Sequence, residues 1–362
     1  MTRILIVAPS LETSKNVSGI SAVTNFIIAN NKSHVYKHFL QGKGDDEKSN
    51  LSRIVRLIRN FQKWRKLLDH LDDYIIHYNF PLDTFSIIRD YFFIKAARNR
   101  KKKIIIHIHG GLYLFKENKP ILIKRILNIV FNWNYPSIVL SKKEKEQIIN
   151  EYHTENIYVL PNCIDLSIAS NFYREYNKNT LDILYLGRIE PNKGIDYIYD
   201  AVKILHEKKI VFTLHFAGTE QGNHNYIEKF SQLLGKTFIY EGIVTGQKKD
   251  RLLEQCQILL LPSFYEGLPI ALLECMSFGM IPVTTNVGSM GDFVIDNKTG
   301  LLVKLKDADS IVKALSILYD SPELRFRLSQ EARKMIFSTM DPQWYIKELN
   351  RIYQFSYSPP KS

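Results

Sequence analysis

Two tandem α/β domains, each built on a parallel sheet, are what this sequence predicts. Three observations carry that expectation. Apolar strand-like runs alternate with helical periods, the alternation restarts after a polar stretch near the middle, and 362 residues exceed what one comfortable core holds. Apolar residues make up 45% and charged residues 24%, an ordinary balance for a soluble globular chain. No run reaches the ~18 apolar residues a spanning helix would need.

The first run, ILIVAP (4–9), is too short for the apolar region of a signal peptide and reads as a strand. A helical stretch follows from Ile20. The runs YIIHYN (74–79), KIIIHIH (103–109), SIVL (137–140) and IYVL (157–160) then recur with helices between them, the βαβ signature of a parallel sheet. Within NLSRIVRLIRNFQKWRKLLDHL (50–71), helical spacing puts Leu51, Ile54, Ile58, Phe61 and Leu68 on one face and Arg56, Arg59, Lys63 and Lys66 opposite. The polar stretch 160–180 reads as a linker. After it come the strands DILYLG (182–187), FTLHFAG (212–218), FIYEG (238–242), ILLLP (258–262) and IPVTT (281–285). The expected domains are 1–165 and 166–340. A last helix over 341–358, opened by Asp341-Pro342, packs either on the second domain or back on the first.

The net charge of +12 is unevenly placed: residues 1–175 hold 27 Lys/Arg against 16 Asp/Glu, the remainder 22 against 21. The basicity therefore belongs to the first half, densest over 50–71 and in ARNRKKK (97–103). A basic amphipathic helix suits an anionic membrane surface, and equally a sheet-packing helix with a solvated outer face. Cys163, Cys256 and Cys275 show no metal-ligand spacing, and so sparse a count fits a reducing cytosol.

Ligands of such sheets bind beyond the carboxyl ends of the strands, so the chemistry should follow the strands. In LYLGRIEPNKGIDYIYDAV, Arg188 stands directly at a strand end and Lys193 five residues on, just before Gly194 and a helix. A guanidinium and an ammonium beside a helix N-terminus suit a diphosphate. In SFYEGLPIALLE (263–274), Gly267 makes a turn, and the helix opening at Leu268 or Pro269 points free N–H groups the same way. Glu266 lies in the turn, Glu274 inside the helix, where a carboxylate can accept hydrogen bonds from vicinal hydroxyls. No G-x-G-x-x-G follows the first strand; SGIS (18–21) stands there, which argues against a tightly held dinucleotide. His107 and His109 share a strand face but lack a third metal ligand at useful spacing. Asp307-Ala308-Asp309 reads as a helix cap rather than a metal motif.

The strings GRIEPNKG, SFYEGLPIALLE and GMIPVTTNVG together resemble the retaining nucleotide-sugar glycosyltransferases of family four, strongly over 181–303 and more weakly along the whole chain. The resemblance implies the GT-B fold, two Rossmann-like domains facing each other across a cleft. It implies that Arg188 and Lys193 hold the donor diphosphate, that Glu266 contacts the donor sugar, and that Glu274 binds the nucleotide ribose. It further implies that His109 approaches the sugar from the first domain, that Gly19 belongs to a phosphate loop, and that Asn162 sits in an interdomain motif. Departures are Ser18 for the loop's first glycine, Cys163 after Asn162, and Asp292 where the family usually has Glu. By the same resemblance no metal or cofactor is needed, a UDP-sugar is favoured over a GDP-sugar as donor, and a saccharide or lipid-linked saccharide is the acceptor. The setting would be the cytoplasm, peripheral at the inner membrane face, in capsule or lipopolysaccharide assembly. Two other readings fit parts of the sequence: a nucleotide-sugar epimerase on a GT-B-like scaffold, and a basic nucleic-acid-binding protein. For the second, no recognisable nucleic-acid motif accompanies the charge.

Overall fold

The computed structural model describes residues 1–12, 18–42, 50–174 and 180–355. They divide into two compact units, Met1–Cys163 with the helix from Pro342, and Ile164–Asp341.

In the first unit, strands β1 (Thr2–Ala8), β2 (His34–Leu40), β3 (Tyr74–Phe80), β4 (Lys103–Ile108), β5 (Ser137–Val139) and β6 (Ile157–Val159) form one parallel sheet in the order β2-β1-β3-β4-β5-β6. Helices α1 (Gly19–Asn30), α2 (Asn50–Asp69), α3 (Thr84–Asn99), α4 (Leu112–Phe115), α5 (Ile121–Asn132) and α6 (Lys142–Tyr152) make the crossovers. The sense of the connections reverses between β1 and β3: the chain leaves β1 toward β2 and leaves β3 toward β4. With right-handed crossovers, α2, α3, α5 and α6 therefore cover one sheet face and α1 the other. Strand β2 is not among the sequence-expected strands. Its residues HVYKHFL form an edge with alternating burial, and so lack the continuous apolar run of a central strand.

The apolar face of α2 also differs from expectation. The residues that pack inward are Leu57, Phe61, Trp64 and Leu68, whereas Ile58 is exposed along with Val55. Trp64 decides the rotation: it is fully buried among Phe39, Tyr78 and Phe93, and its indole N–H donates to the Phe93 carbonyl at 2.9 Å. Burying the largest side chain, with its one donor satisfied, outweighs burying an isoleucine. The expected positions Leu51 and Ile54 lie outside the residues whose side chains are described.

In the second unit, β7 (Leu181–Leu186), β8 (Phe212–Ala217), β9 (Phe238–Gly242), β10 (Ile258–Leu261), β11 (Ile281–Thr285) and β12 (Leu301–Val303) form a parallel sheet in the order β12-β11-β10-β7-β8-β9. Its helices are α7 (Ser167–Ser170), α8 (Ile195–Glu207), α9 (Tyr226–Leu234), α10 (Gly246–Gln255), α11 (Ile270–Ser277), α12 (Ala308–Asp320) and α13 (Pro322–Thr339). The stretch expected to be linker holds the short helix α7, and its part 175–179 lies outside the described residues. Strand β12, three residues long, was too short to announce itself in the sequence.

The last helix, α14 (Pro342–Phe355), groups with the first unit; residues 356–358 of the expected helix lie outside the described ones. Its buried Tyr345 meets Phe26 of α1 edge to face at 5.6 Å, and Asn350 accepts from Asn31 at 2.6 Å. Periodicity shows that α14 has an apolar face. Only tertiary packing shows which sheet that face covers.

Candidate functional site

The switch point of the second sheet lies between β7 and β10, because the chain leaves β7 toward β8 and leaves β10 toward β11. Diverging connections open a crevice at the carboxyl ends of two such neighbouring strands. The loops after β7 and β10 carry the Arg188–Lys193 and Ser263–Glu274 motifs, so the topology brings both to one place.

After β7 the chain turns through a 3₁₀ segment, Pro191–Lys193, and enters α8 from Gly194. Gly194 has φ +76, and a Cβ there would lie 2.3 Å from the Pro262 carbonyl oxygen. The glycine thus lets the cation loop approach the end of β10. A Gly194→Ala variant is expected to lose about 2–4 kcal/mol of stability from backbone strain plus overlap, read as a lowered thermal midpoint. The Phe264 N–H donates to the Asn192 carbonyl at 2.9 Å, and the Asn192 amide donates to the Tyr265 hydroxyl at 2.7 Å.

Lys193 Nζ then lies 2.6 Å from Glu266 Oε1, with both side chains only 14% exposed. The Ser263 hydroxyl donates to the same carboxylate oxygen at 2.8 Å, and Thr285, from the end of β11, donates to the Ser263 carbonyl. Glu266 is therefore held from two sides. Arg188 is half exposed, its guanidinium 3.7 Å from Glu190, and its carbonyl accepts from the buried Tyr185 hydroxyl. A pinned backbone and a half-exposed head group only loosely set against Glu190 leave Arg188 able to reach an anion. Gly267 is tied to the next loop, its carbonyl accepting from the Ser289 N–H at 3.0 Å.

Helix α11 begins at Ile270, with Pro269 as its N-cap, rather than at Leu268 or Pro269 as the sequence suggested. Pro269 is extended, at ψ 128, and its carbonyl accepts from Leu272. Proline thus sits just outside the helix, an end effect of one residue. Glu274, one turn in, pairs with Lys249 of α10 at 2.6 Å. Asp307 caps α12 by accepting from the Ser310 N–H at 3.1 Å, the reading made from sequence. Asp292 lies in a 3₁₀ turn after β11.

In the first unit the switch point lies between β1 and β3. Gly19 opens α1 beside it, and Ser18 serves as the N-cap, its hydroxyl accepting from the Ser21 N–H at 3.3 Å. The serine found in place of a loop glycine therefore has a structural use. His109 follows directly on β4, and its Nε2 lies 2.6 Å from Asn79 Oδ1 at the end of β3. The Asn79 amide donates to the Val7 carbonyl at 2.8 Å, so its oxygen faces the imidazole. His109 must then carry its proton on Nε2, leaving Nδ1 as an acceptor.

Behind it, the His107 ring lies 4.0 Å away at a 33° tilt, His107 Nδ1 lies 3.0 Å from His77 Nε2, and His77 Nδ1 lies 2.7 Å from the Tyr353 hydroxyl of α14. Burial pushes the pKa of His77 and of His109 down to about 3; burial and the two neighbouring imidazoles push His107 well down too. All three rings are neutral at ordinary pH. An Asn79→Asp substitution would set a carboxylate against His109 and should raise its pKa toward the usual range, observable in an NMR titration of the ring.

Sequence reasoning missed Asn79, His77, Tyr353, Ser263 and Lys249. The i, i+2 spacing of His77 and Asn79 within YIIHYN was the available signal for the first two. Tyr353 and Lys249 are brought in by distant elements, and Ser263, inside the quoted SFYEGLPIALLE, gains its use only when Glu266 folds back to it. Asn162 is buried at the end of the first unit. Among the described residues, no three His, Cys, Asp or Glu side chains group to hold a metal.

Residues 171–335 match the family described as glycosyl transferases group 1, a span that falls wholly within the second unit. That unit is a group 1 glycosyl transferase domain. The domain's three motif strings all fall within the matched span. Over 323 residues the chain is 25% identical to an uncharacterized 41.2 kDa protein in the cps region of Klebsiella pneumoniae, covering 82% of this chain and 86% of that protein. Over 280 residues it is 24% identical to the Escherichia coli UDP-Gal:alpha-D-GlcNAc-diphosphoundecaprenol alpha-1,3-galactosyltransferase, covering 71% and 70%. Among solved structures, sucrose-phosphate synthase from Thermosynechococcus elongatus superposes with a TM-score of 0.76 at 15% identity, over 99% of this chain and 100% of that one. The fold is GT-B, with the glycosyl transferase domain following a first α/β unit of the same six-stranded kind.

Proposed function

We propose that this glycosyltransferase moves a sugar from a uridine-diphosphate sugar to a hydroxyl of a saccharide carried on a lipid diphosphate. The transfer retains anomeric configuration, needs no divalent metal, and serves assembly of a bacterial surface polysaccharide. The observation that carries the reading is the Lys193–Glu266 pair, which joins the two-cation turn to the Glu266 loop at the second sheet's switch point.

Breaking the sugar–phosphate bond leaves a diphosphate that must be stabilised as charge develops. Arg188, Lys193 and the amino end of α11 are the groups suited to do so, the role a divalent cation would otherwise fill. Glu266, already held by Lys193 and Ser263, is suited to hold sugar hydroxyls rather than to attack the anomeric carbon. The mechanism that follows is same-face substitution, in which the departing phosphate oxygen takes the acceptor's proton while the acceptor oxygen bonds to the anomeric carbon. Glu274 would accept from the ribose hydroxyls, sharing them with Lys249. His109, with its Nδ1 lone pair, would accept from a donor-sugar hydroxyl. Similarity to a diphosphoundecaprenol-dependent galactosyltransferase and to a cps-region protein supports the lipid-linked acceptor.

The test is an assay of the full chain with nucleotide sugars and a polyprenyl-diphosphate-linked acetamido sugar, in EDTA, with the product anomer read by NMR. Undiminished transfer in EDTA and a retained anomer are expected. Transfer abolished by EDTA would end the metal-free mechanism. Failure with every nucleotide sugar, or conversion of donor without acceptor, would end the reading itself.

A further inference from the structure

Three adjoining helices of the first unit leave an unusual outer surface. Helices α2, α3 and α5 lie side by side over one face of the sheet, α3 touching both neighbours. Because the sheet is parallel, each helix begins at the carboxyl edge of the strands, the edge at which Gly19 and His109 stand. Toward that edge the helices expose large apolar side chains to solvent: Val55 and Ile58 on α2, Phe85 and Phe92 on α3, Ile121 and Leu122 on α5. Ile121 is 88% exposed and Phe85 58%. None of these positions is needed for the inward packing, which Trp64, Phe93, Ile123 and Leu127 complete. Six such residues on adjoining helices make a patch of the kind that marks an interaction site rather than scattered surface apolarity.

The charge around the patch identifies its partner. Over residues 55–69, 84–99 and 121–132, nine Lys/Arg side chains are exposed, whereas the acids there are only Asp69 and Asp90. Asp90 is fully buried and neutralised by Arg89 at 2.6 Å, so it contributes nothing outward. Asp69, at the far end of α2, is paired with Arg100. The acids flanking the helices begin with Asp45, Asp46 and Glu47 ahead of α2 in the sequence, set among Lys43 and Lys48. Asp72 and Asp73 follow beyond its far end, Asp72 facing Lys102 at 3.4 Å. The others are Asp83, spent as the N-cap of α3, and Glu117 in the loop before α5. Apolar side chains grouped at one edge, with cations beside them and along the helices behind, suit insertion into a bilayer boundary flanked by anionic headgroups. A soluble acidic protein would complement the charge but not the protruding isoleucine and phenylalanines at the helix starts.

We propose that the outer surface of α2, α3 and α5 docks this chain on an anionic lipid bilayer, with the carboxyl edge of the first sheet turned toward the lipid. The inference deepens the function proposed above, resting on it for the lipid-linked acceptor, which would then reach the protein from the same edge. No described helix is long and apolar enough to cross a membrane, and none is required to, since docking of this kind is interfacial.

The experiment is sedimentation of the full chain with vesicles of phosphatidylglycerol and phosphatidylcholine, against phosphatidylcholine alone, at low and high salt. Wild-type protein should pellet with the anionic vesicles at low salt and much less at high salt, because the cations are exposed and screened. Substituting Arg59, Lys63, Lys124 and Arg125 together by Gln should weaken partitioning by at least about tenfold. A Phe85→Ser, Ile121→Ser variant should weaken it at both salt concentrations, through loss of inserted apolar surface. All of these side chains but Phe85 and Ile121 are polar surface groups, and those two are exposed, so an unchanged circular dichroism melt verifies folding. Turnover of a water-soluble acceptor should be unchanged in both variants, which separates this inference from the transferase reading. Three outcomes would overturn it: wild-type protein that ignores the anionic vesicles, variants that pellet like wild type, or a dimer in analytical ultracentrifugation that the same substitutions abolish.

Discussion

Replacing Arg188 and Lys193 together by alanine is expected to cut turnover by at least ~10²-fold, the scale of a lost electrostatic stabiliser of a transition state. The two single variants should not be equal. Arg188 is half exposed and only loosely set against Glu190 at 3.7 Å, so its removal subtracts one mobile cation. Lys193 is mostly enclosed and bonded to Glu266 at 2.6 Å. Its removal subtracts a cation and also leaves a carboxylate facing an anionic leaving group with only Ser263 to hold it. Lys193→Ala should therefore be the more damaging change. Adding Glu266→Gln to it should recover part of the lost donor affinity while leaving turnover low, because the repulsion goes but the positioning acid goes with it. Steady-state kinetics on the four variants, with nucleotide affinity by calorimetry, reads these effects separately. Near-wild-type turnover in the Arg188→Ala, Lys193→Ala double variant would refute the assignment.

Acid should unfold the first unit well before it inactivates an ordinary chain of this size. His77 and His107 are fully buried and, like His109, have depressed pKa values. In the unfolded chain each would take a proton as pH falls through about 6.5. The folded chain takes none until about pH 3 for His77 and His109. The unfolded state thus binds more protons across this window, so stability is fully present above pH ~6.5 and falls as pH drops below it. Two histidines alone set a slope of about 3 kcal/mol per pH unit, and His109 adds up to half as much again. Against a total of about 5–15 kcal/mol, this brings unfolding near pH 4–5. Replacing His77 by Gln should flatten the dependence by about one proton, while also perturbing its bonds to Tyr353 and His107. Urea midpoints measured from pH 7 to pH 4 give the slope directly. A profile flat over that range would show that the buried rings are not neutral in the folded chain.

Most of the candidate site of the second unit could be read from sequence because it is local. Arg188, Lys193, Gly194, Glu266, Gly267 and Pro269 lie in two short strings, each directly after an apolar strand, and parallel sheets put such strings at one edge. Lys249 and Ser263 escaped notice for opposite reasons: Lys249 comes from a different helix, and Ser263, though quoted in the motif, gains its use only when Glu266 folds back to it. In the first unit His109 could be singled out, but its tautomer could not, since Asn79 and Val7 belong to other strands. The rotation of α2 was misjudged because Ile58 and Leu57 are neighbours of equal apolarity, and only the space beneath them distinguishes the two.

Sequence alone determined the alternation of strands and helices, the restart at mid-chain, the concentration of charge in the first half, and the order of residues in each site loop. Those properties depend on near neighbours, on spacing and on backbone preference. Tertiary structure alone decided the order of strands within each sheet, hence the switch points. It also decided the pairing of Lys193 with Glu266, the burial of His77 and His107 with His77 bonded to Tyr353 of α14, and which side chains of α2 face water. Each of these is a competition among residues far apart in the chain for the same space or the same polar partner, and such competitions are settled only when the chain has packed.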